Sequence, residues 1–71
     1  MADSVYRVTE IVGTSSESWE AATRTAVDTA SRSLRDLRIA EVVRLDVTID
    51  DGRVATYRAR LNVSFKYEGG D

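Results

Sequence analysis

The stretch VATYRARLNVSFKY, residues 54–67, decides the fold. Its odd positions are Ala55, Tyr57, Ala59, Leu61, Val63, Phe65 and Tyr67. Between them stand Thr56, Arg58, Arg60, Asn62, Ser64 and Lys66. Successive side chains of a strand point to opposite faces, so this alternation predicts a half-buried strand. At about 3.3 Å per residue it is roughly 45 Å long. A chain of 71 residues has little with which to cover it. The stretch therefore points to assembly as well as to a sheet.

Upstream lies a second strand, about 38–49, joined to the third, about 53–67, through Asp50-Asp51-Gly52. Three loop residues with glycine last suit a type I turn closed by a left-handed residue. That register pairs Leu45 with Tyr57, Val43 with Ala59 and Val47 with Ala55. A two-residue loop would set Leu45 against Arg58 and mix the faces, so the longer loop is expected. In this reading Ile39, Val43, Leu45, Val47 and Ile49 share the apolar face, with Glu41 in phase. Ala40, Val42, Arg44, Asp46 and Thr48 share the other. Arg44 and Arg58 then stand directly opposite each other. Like charges facing across strands are destabilising. They call for Asp46, a neighbouring subunit's carboxylate or a bound anion, which guanidinium forks suit.

The N-terminal part reads as a first strand, about 4–12, stopped by Gly13. Hydroxyls of Thr14, Ser15 and Ser16 offer helix caps, and Thr14 with Glu17 has capping-box spacing. Trp19, Ala22, Ala26, Ala30, Leu34 and Leu37 recur at steps of three and four, which predicts a helix over about 17–35. Its narrow alanine face allows close approach to a sheet, with Trp19 in core or interface. Residues 68–71 are expected to form a flexible tail. The reading is one α+β domain over 1–71, ordered strand, helix, strand, strand.

Composition narrows the function. There is no cysteine and no histidine, which excludes disulfides, zinc sites and histidine catalysis. Lys+Arg 10 against Asp+Glu 12 gives a net charge of −2, with no footprint for nucleic acid or membrane surfaces. No apolar run approaches about 18 residues and no segment resembles a signal peptide, so a cytoplasmic location is expected. No nucleophile elbow or phosphate loop is present, and no enzyme is expected. Domains below about 70–80 residues usually need a supplement to their core. Oligomerisation remains, or a hard cation on carboxylates. Asp46, Asp50 and Glu20 are candidate ligands, without EF-hand spacing.

Several segments together resemble the dodecin family. They are Val5-Tyr6-Arg7-Val8, Glu10-Ile11-Val12-Gly13-Thr14-Ser15, Ala40-Glu41-Val42, Asp51-Gly52, Tyr57 and Val63-Ser64-Phe65. The resemblance implies a βαββ protomer whose three-stranded antiparallel sheet wraps around one helix. It also implies a hollow homo-dodecamer, without enzymatic activity, that stores flavins (FMN or riboflavin) stacked between aromatic residues. It places the flavin-stacking tryptophan at Ile39 and the glutamine that reads the flavin edge at Arg58. Arg44 and Thr48 are further positions of that pocket. An aliphatic side chain has no π face, and arginine offers donors only. Ser18-Trp19-Glu20, Leu37-Arg38-Ile39-Ala40 and Thr56-Tyr57-Arg58 resemble the calcium dodecins instead. That branch implies calcium or another divalent cation ahead of flavin. A purely structural shell is the third expectation.

Overall fold

The hairpin closes at Asp51-Gly52. In the computed structural model, which describes residues 3–66, Asp51 has φ 54° and Gly52 φ 75°. Two successive positive values are what a type I′ turn requires, and its twist matches that of the flanking strands. Asp50 pairs directly with Arg53, so the loop has two residues. The three-residue turn expected from sequence is incorrect. Faces do not mix, because the register shifts between Thr48 and Ile49. Ala55 is the extra residue there, a bulge on the third strand. Beyond it Thr48 meets Thr56, Val47 meets Tyr57, Asp46 meets Arg58, Leu45 meets Ala59 and Arg44 meets Arg60. The predicted pairs Leu45–Tyr57 and Arg44–Arg58 are therefore each displaced by two residues.

Four elements follow in order: β1 (Tyr6–Ser15), α1 (Trp19–Ala30), β2 (Leu37–Asp50) and β3 (Arg53–Lys66). The sheet is antiparallel in the order β1-β3-β2. β3 is central and α1 lies over its odd-numbered face. Ala59, Leu61 and Val63 are at most 1% exposed there, and Leu61 and Val63 form the core with Ala26, Ile11, Leu34 and Leu37. A central strand has one dry face and no free edge, so its alternation is the cleanest in the chain.

β2 is an edge strand and carries two more extra residues, at Val43 and at Arg38. Each reverses the phase. Leu37, Ala40, Val42, Leu45 and Val47 pair with the odd residues of β3 and share its helix-side face. Ile39, Glu41, Arg44, Asp46 and Thr48 lie on the opposite face. Strict alternation put Ile39 and Glu41 on the apolar face and Ala40 and Val42 on the other. The bulges correct both assignments and remove Glu41 from the core phase.

Gly13 does not end β1, which continues to Ser15. Its role is proximity. A Cβ at Gly13 would stand 2.1 Å from the Ala22 carbonyl oxygen and 2.8 Å from Ala26 Cβ. α1 thus rests on the sheet through Gly13 and its buried stripe Ala22, Ala26 and Ala30. The helix is shorter than expected at 12 residues, about 18 Å. Its N-cap is Ser18, whose Oγ accepts from the Ala21 N–H at 3.0 Å, not Thr14. Ser15 Oγ accepts from the Glu17 N–H at 2.9 Å. At the far end Ser31 Oγ donates to the Asp28 carbonyl at 2.9 Å. Such local bonds compete with helix continuation. Leu34 and Leu37 reach the core from the connection and from β2.

α1 lies across β1 and β3 and barely touches β2. Val42 is 45% exposed and Leu45 47%, although both face the helix side. The protomer measures 54 × 20 × 17 Å with a radius of gyration of 14.7 Å, against about 11 Å for a compact chain of this length. Its accessible surface is 5469 Å², roughly 1,000 Å² more than a compact monomer of this mass presents. Tyr67 and the expected tail 68–71 lie outside the described residues.

Candidate functional site

The face of the sheet turned away from α1 gathers the polar side chains. Register brings Glu10 of β1, Arg58 and Arg60 of β3, and Arg44, Asp46 and Thr48 of β2 onto it. Three rungs follow one another along the β2–β3 ladder. Thr48 and Thr56 share a hydroxyl–hydroxyl bond of 2.6 Å, and Thr48 Oγ1 also accepts from the Thr56 N–H at 3.1 Å. On the next rung Arg58 Nε donates to Asp46 Oδ1 at 2.7 Å and Arg58 Nη2 to Asp46 Oδ2 at 2.9 Å. This is a bidentate fork, the strong geometry for a guanidinium and a carboxylate. Arg44 faces Arg60 on the third rung. Arg60 also reaches across to Glu10 Oε1 at 3.4 Å.

Electrostatics follow this geometry. The Arg58 hydrogen bonds hold the Asp46 carboxyl below the ordinary aspartate range, against a smaller desolvation effect. The charges of Arg58, Arg60 and Arg44 push the same way as those bonds. Hydrogen bonding to Asp46 raises the Arg58 guanidinium above its ordinary value. Asp46 therefore carries its charge throughout the neutral range, committed to Arg58.

Asp46 also links the two faces of the sheet. Its carbonyl oxygen accepts from Trp19 Nε1 at 3.0 Å. The Trp19 ring meets Tyr57 edge-to-face, with centroids 5.2 Å apart at 78°. The only tryptophan thus pins the start of α1 to the middle of the hairpin.

The four expected flavin-pocket positions share this outer face. Ile39 stands opposite Ser64 and is 60% exposed. Thr48 is bonded to Thr56, Arg58 to Asp46, and Arg44 lies beside Arg60. The cation candidates do not converge. Asp46 is held by Arg58, Asp50 lies at the hairpin end opposite Arg53, and Glu20 is in the first turn of α1. Among the described residues no three acidic side chains are grouped to hold a metal ion. Asp46 was one of three counter-charges the sequence offered for Arg58, and the structure selects it. The direct cross-strand pairing of the two and the Glu10–Arg60 bond were not legible, since both depend on register. On the helix side, an open groove of about 550 Å³ runs between β1 and α1. It is lined by Ile11, Gly13, Ala26 and Leu34 with threonine hydroxyls and carries no charged group.

No described helix is long and apolar enough to cross a membrane. The dodecin family profile matches residues 5–68. A calcium dodecin of Mycobacterium tuberculosis is 48% identical over 63 residues, 89% of each chain. The solved dodecin of Streptomyces coelicolor superposes with a TM-score of 0.91 at 41% identity, over 99% of this chain and 100% of that one. The solved structure of the calcium-chelating antigen calcium dodecin from M. tuberculosis, described with a novel calcium-binding site, gives a TM-score of 0.82 at 44% identity. That match covers 96% of this chain and 97% of the other. Fold, element order and sequence agree, and the chain belongs to the dodecin family.

Proposed function

We propose that this chain is a non-enzymatic binding and storage protein that assembles as a homo-dodecamer and sequesters a divalent cation, calcium foremost. The observation that carries the reading is the 48% identity with a calcium dodecin over 89% of the chain. The outer face argues in the same direction. At position 39 an aliphatic side chain offers no π surface for a flavin ring. At position 58 the guanidinium is already engaged by Asp46 through two hydrogen bonds. A flavin edge would meet neither a stacking partner nor a free acceptor.

Because no three acidic groups converge among the described residues of one protomer, the cation is bound between copies. Asp50 and Glu20 are the candidates left for it, since neither forms an ion pair among the described residues. Binding and storage need no reaction step, and the site contains no nucleophile–base pair. A cytoplasmic location fits the reading.

Calorimetric titration of the chelator-treated protein with calcium tests it, alongside FMN fluorescence in a separate cuvette. Saturable calcium binding with unquenched FMN supports the proposal. Quenched FMN without a calcium signal establishes the flavin alternative, and silence in both leaves a structural shell.

A further inference from the structure

Two uncharged surfaces lie unpartnered on the helix side of the sheet. One is the free end of the hairpin, where Ile49 pairs with Val54 beyond the Trp19–Tyr57 contact. Ile49 is 70% exposed there and Val54 52%. The other is the groove of about 550 Å³ between β1 and α1, lined by Ile11, Ala26 and Leu34 with Thr9, Thr25 and Thr29. The three threonines are exposed, and no hydrogen bond among the described residues uses their hydroxyls. Thr25 and Thr29 are one helical turn apart and so flank the same groove. Charge distinguishes this groove from the neighbouring surfaces. The cleft on the outer flank of α1 is lined by Glu20, Arg24 and Asp28, and the one beside Leu37 and Ala40 contains Arg38. The far face of the sheet carries Glu10, Arg44, Arg58 and Arg60. Seating an apolar hairpin end on any of these would strip charges of water without pairing them. The β1–α1 groove imposes no such penalty. The protomer presents roughly 1,000 Å² more surface than a compact monomer of its mass, and a stable contact needs about 800 Å² from each partner. The surplus suffices for one such contact, and a second copy supplies both surfaces.

We propose that the hairpin end of one copy seats in the β1–α1 groove of another. Ile49 and Val54 pack against Ile11, Ala26 and Leu34. The hydroxyls of Thr9, Thr25 and Thr29 bond backbone groups of the incoming β2, an edge strand whose outer side has no partner within the sheet. Every copy carries both halves of the contact, so copies close into a reciprocal pair or a ring. The contact presupposes the assembly proposed above and names the surfaces that build it. Asp50 follows Ile49, so the same contact delivers one candidate cation ligand to a second chain.

Cross-linking tests the contact. The chain contains no cysteine, so an introduced pair reports only its own approach. Ile49→Cys is combined in the full chain with Thr25→Cys or with Thr29→Cys, all at exposed positions, and the protein is oxidised at micromolar concentration. A disulfide needs Cα atoms about 4.4–6.8 Å apart. At least one double variant is expected to form an intermolecular disulfide in high yield, and Ile49→Cys alone none. The mass under denaturing, non-reducing conditions reads the closure: about 16 kDa for a reciprocal pair, about 24 kDa for a ring of three. In a separate arm Thr29→Arg places a charge in the groove, and light scattering is expected to show at least a twofold loss of assembled mass. Three results overturn the proposal: no intermolecular disulfide in either double variant although wild type is assembled, a disulfide in Ile49→Cys alone, which sets hairpin against hairpin, or a Thr29→Arg protein of wild-type mass. A monomeric wild type removes the assembly itself and the contact with it.

Discussion

Replacing Gly13 by alanine tests how the helix is seated. The added Cβ would lie 2.1 Å from the Ala22 carbonyl oxygen, 2.8 Å from Ala26 Cβ and 3.1 Å from the Ala22 carbonyl carbon. An unstrained carbon–oxygen contact is about 3.3 Å, so α1 must retreat by roughly 1.2 Å. No rotamer change helps, because the nearest atom belongs to the helix backbone. The retreat lifts Ala22, Ala26 and Ala30 from the sheet together. Overpacking commonly costs about 1–3 kcal/mol, and a rigid backbone obstacle places this substitution at the upper end, about 3 kcal/mol. Urea unfolding at fixed protein concentration measures it, with Trp19 fluorescence as the probe. Trp19 is suited to this because it bridges α1 to Tyr57 and the Asp46 carbonyl. A second variant, G13A/A26G, removes the Ala26 contact and leaves the Ala22 carbonyl in place. It is expected to remain at least as destabilised. A loss below about 0.5 kcal/mol in G13A, the range of an ordinary surface substitution, or full recovery in the double variant, refutes the close-approach argument.

Other substitutions separate packing from conformation and charge. Leu61→Ala empties a fully buried position between Ile11 and Val42 and is expected to cost about 3 kcal/mol in urea unfolding, within the range for buried leucines. Gly52→Ala meets no atom within 4 Å, so its cost is purely that of a left-handed φ, about 1 kcal/mol, read from the same unfolding curve. Asp46 supplies a pH signature. Its carboxyl titrates lower when folded than when unfolded, so its contribution is complete above the unfolded value of about 3.9 and is lost as pH falls through the lower folded value. Acid titration followed by Trp19 fluorescence is expected to show D46N losing less stability than wild type below about pH 4; identical acid profiles contradict the pairing.

The sequence made β3 legible because a central strand under a helix obeys strict alternation. The alanine stripe of α1 was equally readable, since Ala22, Ala26 and Ala30 fall at four-residue steps. Edge-strand register was not. Ala55, Val43 and Arg38 are extra residues in a ladder, and nothing in their side chains marks them as such. Val43 and Arg38 lie on an edge strand, and Ala55 lies on β3 beyond its last pair with β1, so at each of them only one side must remain bonded. The two-residue loop and the Ala55 bulge together displaced the register by two, so the expected Arg44–Arg58 clash became Asp46–Arg58 and Arg44–Arg60. Gly13 was visible as a glycine, yet its purpose lies in the helix backbone 2.1 Å from its absent Cβ. The Asp-Gly pair signalled a two-residue hairpin, and that signal outweighs the face-matching argument once a bulge restores the phase.

The protomer leaves Leu45, Ile49 and Val54 at 47%, 70% and 52% exposure, on a part of the hairpin that its own helix does not cover. Other copies of the chain are expected to cover this surface and complete the proposed cation site. Light scattering coupled to size-exclusion chromatography at micromolar concentration measures this directly. Twelve copies of a 7.9 kDa chain predict a single species of about 95 kDa. A monomer or dimer, about 8 or 16 kDa, contradicts the account.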